Sequence, residues 1–271
     1  MRYSQIISVM VVLGLMVGVA AGDPSVEKIT KEKKLVARNV VEPPNESTVK
    51  GQTKIHPTKM EKSTRMPVYK PPKRGAPGGR VGGGTRGESD VQLTTQVLAP
   101  GRVRGLTSQD QPDLYWYVSQ TTKVPIEFTL IDEDGIDPLI ETRLPPPTKA
   151  GIQRIQLSDF DLRLSPEKMY RWSVALVFDP EHRSKDIVAS ARIQRALPSE
   201  IPTTLLEQVD AVEATYIQAE AGLWYDAIAT ISQAIRKSPE EPHFQHMRGA
   251  LLEQADLVEV AGFDRMAKKS F

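Results

Sequence analysis

The nine residues from Tyr170 to Phe178 constrain this chain more than any other stretch. Tyr170, Trp172, Val174, Leu176 and Phe178 alternate with Arg171, Ser173, Ala175 and Val177. A period of two places the large apolar side chains on one face, so the segment is a strand laid over a core. Shorter alternations stand on either side. Val91, Leu93 and Val97 precede Pro100-Gly101, and Leu114, Trp116 and Val118 follow. Ile126, Phe128 and Leu130 run into Asp132-Glu-Asp-Gly135. Ile140 and Leu144 precede Pro145-Pro-Pro147, Ile155 and Leu157 follow Gly151, and Ile187, Ala189, Ala191 and Ile193 come last. Short strands closed by turn residues predict an antiparallel β-sandwich over residues 91–198.

Just before the main strand, Leu164, Pro166 and Tyr170 stand at i, i+2 and i+6. This spacing resembles the tyrosine corner of immunoglobulin-like sandwiches, where the tyrosine hydroxyl bonds to the backbone upstream of its strand. The plainer alternative is an ordinary turn before an ordinary strand. After Pro198 the apolar period changes to three or four. Thr204 and Glu207 form a candidate capping box for a helix carrying Leu205, Val209, Val212 and Tyr216. A second helix carries Trp224, Ala227, Ile228, Ile231, Ala234 and Ile235 and stops before Ser238-Pro239. A third starts near Pro242 and carries Phe244, Met247, Leu251 and Ala255. The expected fold is mainly β, an immunoglobulin-like antiparallel β-sandwich followed by a small α-helical segment over 199–271.

The N-terminus bears on the compartment. Arg2 is followed by an apolar run from Ile6 to Ala21, and Val19 and Ala21 supply small residues at the −3 and −1 positions of a cleavage site. This has the build of a secretory signal peptide over residues 1–21, giving a periplasmic or secreted protein. Membrane contact is expected only if that segment is retained as an anchor. Export argues against nucleic-acid and ATP-dependent roles. The chain has no cysteine, which removes disulfides, thiolate metal sites and a cysteine nucleophile. Residues 22–66, rich in Lys, Glu, Thr and Pro, read as a disordered tether. Residues 67–90 form a basic Gly/Pro-rich arm with Lys70, Lys73, Arg74, Arg80 and Arg86. The C-terminal segment carries an excess of Asp and Glu.

Few motifs carry chemistry. Gly82, Gly84 and Gly87 spell G-x-G-x-x-G, and Gly79 to Gly84 have the outer spacing of a P-loop. Thr85 replaces the phosphate-binding lysine, and no strand or helix flanks the block. Asp132, Asp134, Asp137 and Glu141 approach a calcium loop, but Leu130 occupies the first ligand position, which favours a hairpin turn. His243 and His246 share a helical face without a third ligand nearby, and His182 stands alone. No enzyme activity, cofactor or metal is expected. In strand 114–118, Tyr115 and Tyr117 load the face opposite the core, where a two-layer sandwich should be polar. That face is either covered or a stacking platform. The candidate interaction surface therefore comprises Tyr115, Tyr117, Trp224, Tyr225, Arg74, Arg80 and Arg86. The expected partner is another envelope protein, with a glycan as the alternative.

Two resemblances follow. Gly222, Trp224, Ala227, Ala234 and Pro239 match the second half of a tetratricopeptide repeat, although Thr215 and Gln218 depart from its first half, so an array is not supported. More broadly, five blocks in order resemble a bacterial exported family known as domain of unknown function 928. They are residues 69–87, Leu106-Thr107, Gln111-Pro-Asp-Leu-Tyr-Trp-Tyr117, Tyr170-Arg-Trp172 and Ala221-Gly-Leu-Trp-Tyr-Asp-Ala227. The resemblance spans about Pro67 to Leu257 and brings no catalytic residue. It implies that the glycine-rich block belongs with the sandwich. The unpaired helical stripe and the two tyrosines are expected to pack together, with the helices docked on the outer face of strand 114–118; the alternative is that the stripe is reserved for a partner.

Overall fold

The structure, a computed structural model, describes residues 65–72, 80 and 93–266. The segment expected to be a signal peptide, nearly all of the expected tether and most of the glycine-rich arm lie outside the described residues. Two sheets pack face to face. One has three strands, β1 (Thr95–Val97), β3 (Asp113–Val118) and β6 (Gly151–Gln156), in the order β1-β3-β6. The other has five: β2 (Gly105–Thr107), β4 (Ile126–Asp132), β5 (Pro138–Leu144), β7 (Met169–Leu176) and β8 (Ile187–Arg195), in the order β2-β8-β7-β4-β5. Alternate residues of both sheets meet inside. Leu114, Trp116 and Val118 from β3 face Phe128 and Leu130 of β4, Trp172 and Val174 of β7, and Ala189, Ala191 and Ile193 of β8, all buried. This is the immunoglobulin-like sandwich that the alternation predicts.

The corner forms. The Tyr170 hydroxyl accepts a hydrogen bond from the Ser165 backbone N–H at 3.0 Å, while Leu164 is buried beneath it. The intervening turn carries Glu167 in the left-handed region, at φ 61°. Four details depart from expectation. β2 pairs parallel to β8, so the larger sheet is mixed; three residues are too few to show a period. β7 stops at Leu176, and Phe178 is exposed at the turn before Pro180. The Asp132–Gly135 turn closes with the Gly135 N–H on the Asp132 carbonyl at 2.9 Å, and the Asp132 carboxylate accepts the Asp134 N–H. Gly135 has no positive φ, so the side chain of Asp132 shapes this turn instead.

The fourth departure lies in the helices. The capping box at Thr204 and Glu207 does not open a long helix. Helix α1 (Thr203–Leu206) is a single turn, and Leu205 is exposed. The chain restarts at α2 (Ala211–Glu220), where the Asp210 carboxylate accepts the Glu213 N–H at 2.9 Å and so acts as the true cap. Helices α3 (Trp224–Lys237) and α4 (Pro242–Gln254) lie where the periodicity places them. A further helix, α5 (Val258–Met266), buries Val260 and Ala261. Its nine residues give too few apolar turns to stand out in sequence.

Candidate interaction surface

Three consecutive residues at the start of α3 reach three parts of the sandwich. Trp224 Nε1 donates to the Leu98 carbonyl, just past β1, at 2.9 Å. The Tyr225 hydroxyl accepts from Trp172 Nε1 of β7 at 2.9 Å and donates to the Arg192 carbonyl of β8 at 3.1 Å. The Asp226 carboxylate accepts from Thr107 Oγ1 at 2.6 Å and from the Ser108 N–H at 2.8 Å, at the end of β2. Asp226 is buried in the first helical turn, where negative charge is favourable. Burial still pushes its carboxyl pKa up, against the pull of both hydrogen bonds. The narrower sheet leaves room beside β1, and the N-terminus of α3 fills it. Gly105 makes that approach possible, because a Cβ there would lie 2.4 Å from the Tyr225 ring.

The same helices cover the outer face of β3. The Tyr115 hydroxyl accepts from Arg236 at 3.1 Å, and the Tyr117 ring meets Phe263 of α5 edge-on, with centroids 5.3 Å apart. Residues 65–72 then strap across the helices. The Tyr69 ring packs edge-on against Trp224, and its N–H donates to Gln254 Oε1 at 2.8 Å. The Lys70 N–H reaches the Ala219 carbonyl at 3.0 Å. Gly222, at φ 77°, lies under this strap, where a Cβ would come within 2.8 Å of the Lys70 carbonyl. Only glycine suits both demands.

These contacts correct the surface expected from sequence. Tyr115, Tyr117, Trp224 and Tyr225 are 3%, 6%, 0% and 1% exposed, so none is open to a partner or a glycan. The two apolar surfaces that each lacked a partner in sequence cover one another. Arg80 is also engaged: its N–H binds the Pro100 carbonyl, and its guanidinium reaches Gln96 and the Asp256 carbonyl. Partial burial lowers its pKa, with Asp256 opposing. Arg74 and Arg86 lie outside the described residues.

The open surface is on the other sheet. Residues of β5 alternate, so Ile140 points inward while Leu139, Glu141 and Arg143 point out. β5 pairs with β4 along one side, and among the described residues no strand or loop pairs with its outer side. Leu139 is 46% exposed, and Ile136, in the turn leading into β5, is 94% exposed. Glu141 and Arg143 form no ion pair among the described residues. The sequence contains one hint of this edge. Leu139 and Ile140 are adjacent, so in a strand one of them must face water.

The fold therefore defines a β-sandwich domain sealed on one face by its own C-terminal helices, with a strand edge on the opposite sheet that is unpaired among the described residues. The chain belongs to the family described as Domain of Unknown Function (DUF928), whose model matches residues 81–263. That match runs through all eight strands and into α5, so sandwich and helices form one family unit. No curated protein matches the chain.

Proposed function

We propose that this chain is an exported, non-catalytic interaction module of the bacterial cell envelope, and that its partner docks on the outer edge of β5. The observation that supports this reading is the combination of an unpaired strand edge with the exposed side chains of Ile136 and Leu139 beside it. An extended partner segment can add to such an edge through backbone hydrogen bonds, with side-chain contacts setting specificity. Glu141 and Arg143 call for a basic and an acidic residue opposite them. The same charges, with Pro138 at the strand start, discourage indiscriminate edge pairing. We read the tetratricopeptide-like spacing of Gly222, Trp224, Ala227, Ala234 and Pro239 as serving the seal on the sandwich, not a peptide-binding array. Export rests on the short apolar run at the N-terminus and on the resemblance to an exported family.

Recovery of partners from the envelope fraction tests the reading, comparing the wild-type chain with Ile136→Asp/Leu139→Asp. Both positions are exposed, so the variant keeps the fold. A partner enriched by the wild type and lost with the variant supports docking on β5. Equal recovery by both removes β5 as the site.

A further inference from the structure

At the far edge of the same sheet, where β2 meets β8, a cleft of about 300 Å³ is lined by Pro72, Arg104, Leu106, Glu167, Arg195 and Glu200 among others. This is the small end of the range that ligand pockets occupy. Its charges face one another without meeting. Among the described residues, neither arginine comes within ion-pair distance of either glutamate. Two of the four are committed to the backbone: Arg195 donates to the Leu164 carbonyl at 3.0 Å, and the Glu200 carboxylate accepts the Leu197 N–H at 3.1 Å.

Arg104 and Glu167 are not committed in this way. The Arg104 Nε is fully buried and has no acceptor. The hydroxyl of Tyr69, also buried and unbonded, lies within the electrostatic reach of Arg104. A desolvated cationic donor without an acceptor is costly, and such a cost persists where something else supplies the acceptor. Glu167 is exposed, and its backbone is held in the left-handed region. Its N–H donates to the Arg195 carbonyl at 2.9 Å, and its carbonyl accepts from the Gln194 side chain. A non-glycine residue held at such an angle by two hydrogen bonds is the kind of outlier found at binding sites.

We propose that this cleft binds a small zwitterion, an amino acid or short peptide, with its carboxylate on Arg104 and its ammonium group on Glu167. The charge pattern selects this class. A plain anion would meet Glu167 and Glu200, and a plain cation would meet the two arginines. A carboxylate gives the exposed part of the Arg104 guanidinium an anionic partner, which no described residue supplies.

Titration calorimetry on the full chain with alanine, the dipeptide Ala-Ala, propionate and propylamine tests the assignment. One of the two zwitterions is expected to bind, with propionate and propylamine each about tenfold weaker or worse. The tighter zwitterion distinguishes a free amino acid from a peptide, since the two differ in the separation of their charges. Arg104→Gln and Glu167→Gln should each weaken binding by about tenfold or more. Glu167→Gln changes an exposed side chain and keeps the test open if Arg104→Gln does not fold. Absence of binding by both zwitterions overturns the proposal. So does propionate binding as tightly as either zwitterion, or a Glu167→Gln chain that binds like the wild type.

Discussion

The hydroxyl of Tyr170 accepts one backbone hydrogen bond, whereas that of Tyr225 accepts one from Trp172 and donates another to Arg192. Tyr170→Phe should therefore cost about 1 kcal/mol. Tyr225→Phe strands the buried Trp172 Nε1–H as well, so about 2–3 kcal/mol is expected. Trp172→Ala, which empties the centre of the core, should cost about 3–5 kcal/mol. Urea denaturation midpoints rank the three, and a Tyr225→Phe chain as stable as Tyr170→Phe would contradict the double role of Tyr225. The first and last of these residues are legible in the sequence because the alternation around them is strict. Asp226 is not. Its partner Thr107 lies 119 residues away, and nothing local to either residue announces the other.

Among the elements, α3 is tied to β2 through Asp226, and α4 to α5 through a buried ion pair. Because burial raises the folded-state pKa of Asp226, the native state holds this proton more tightly than the unfolded chain does. Its contribution is thus most favourable below the unfolded value, about 4, and is lost as pH rises through the folded value. Stability measured upward from pH 4 should fall less steeply in Asp226→Asn than in the wild type, after allowance for the lost Ser108 hydrogen bond. An unchanged slope would mean that the two donors already hold the carboxylate ionised. In the second tie, Arg248 of α4 donates from Nε to Asp264 of α5 at 2.8 Å, and from Nη1 to Ser232 of α3 at 3.0 Å. Arg248→Met alone leaves Asp264 buried and unpaired, and about 3–5 kcal/mol should be lost. Arg248→Met/Asp264→Leu should recover most of that loss, which a double-mutant cycle by thermal denaturation measures directly. Elements with long, regular patterns, such as β7 and α3, could be placed from sequence. β2 and α5 could not, because three residues show no period and a nine-residue helix shows only about two and a half turns of one.

For the whole molecule, sandwich and helices form one body of mutual cover. Truncation after Pro198 should expose Tyr115 and Tyr117, leave the Trp172 Nε1–H without its Tyr225 acceptor, reduce stability sharply and raise the fluorescence of an apolar dye. A truncated chain that keeps the full chain's midpoint would show that the helices are an appendage. This arrangement was partly legible, since two tyrosines on an outer strand face and an unaccompanied helical stripe each lacked a partner. The seat of α3 was less so, because it depends on the missing breadth of a three-stranded sheet, which no strand shows by itself. The anchor at Trp224 also imposes an order of events. Its acceptor at Leu98 lies 126 residues earlier, so a chain emerging from its N-terminus makes every strand well before it makes the plug that closes them. Until Tyr225 and Asp226 fold back, the emerging strands leave the Trp172 Nε1–H without its acceptor and the outer face of β3 uncovered. The seal therefore closes only after residues 224–226 have been made, and strands that wait for such distant contacts depend on protection until then.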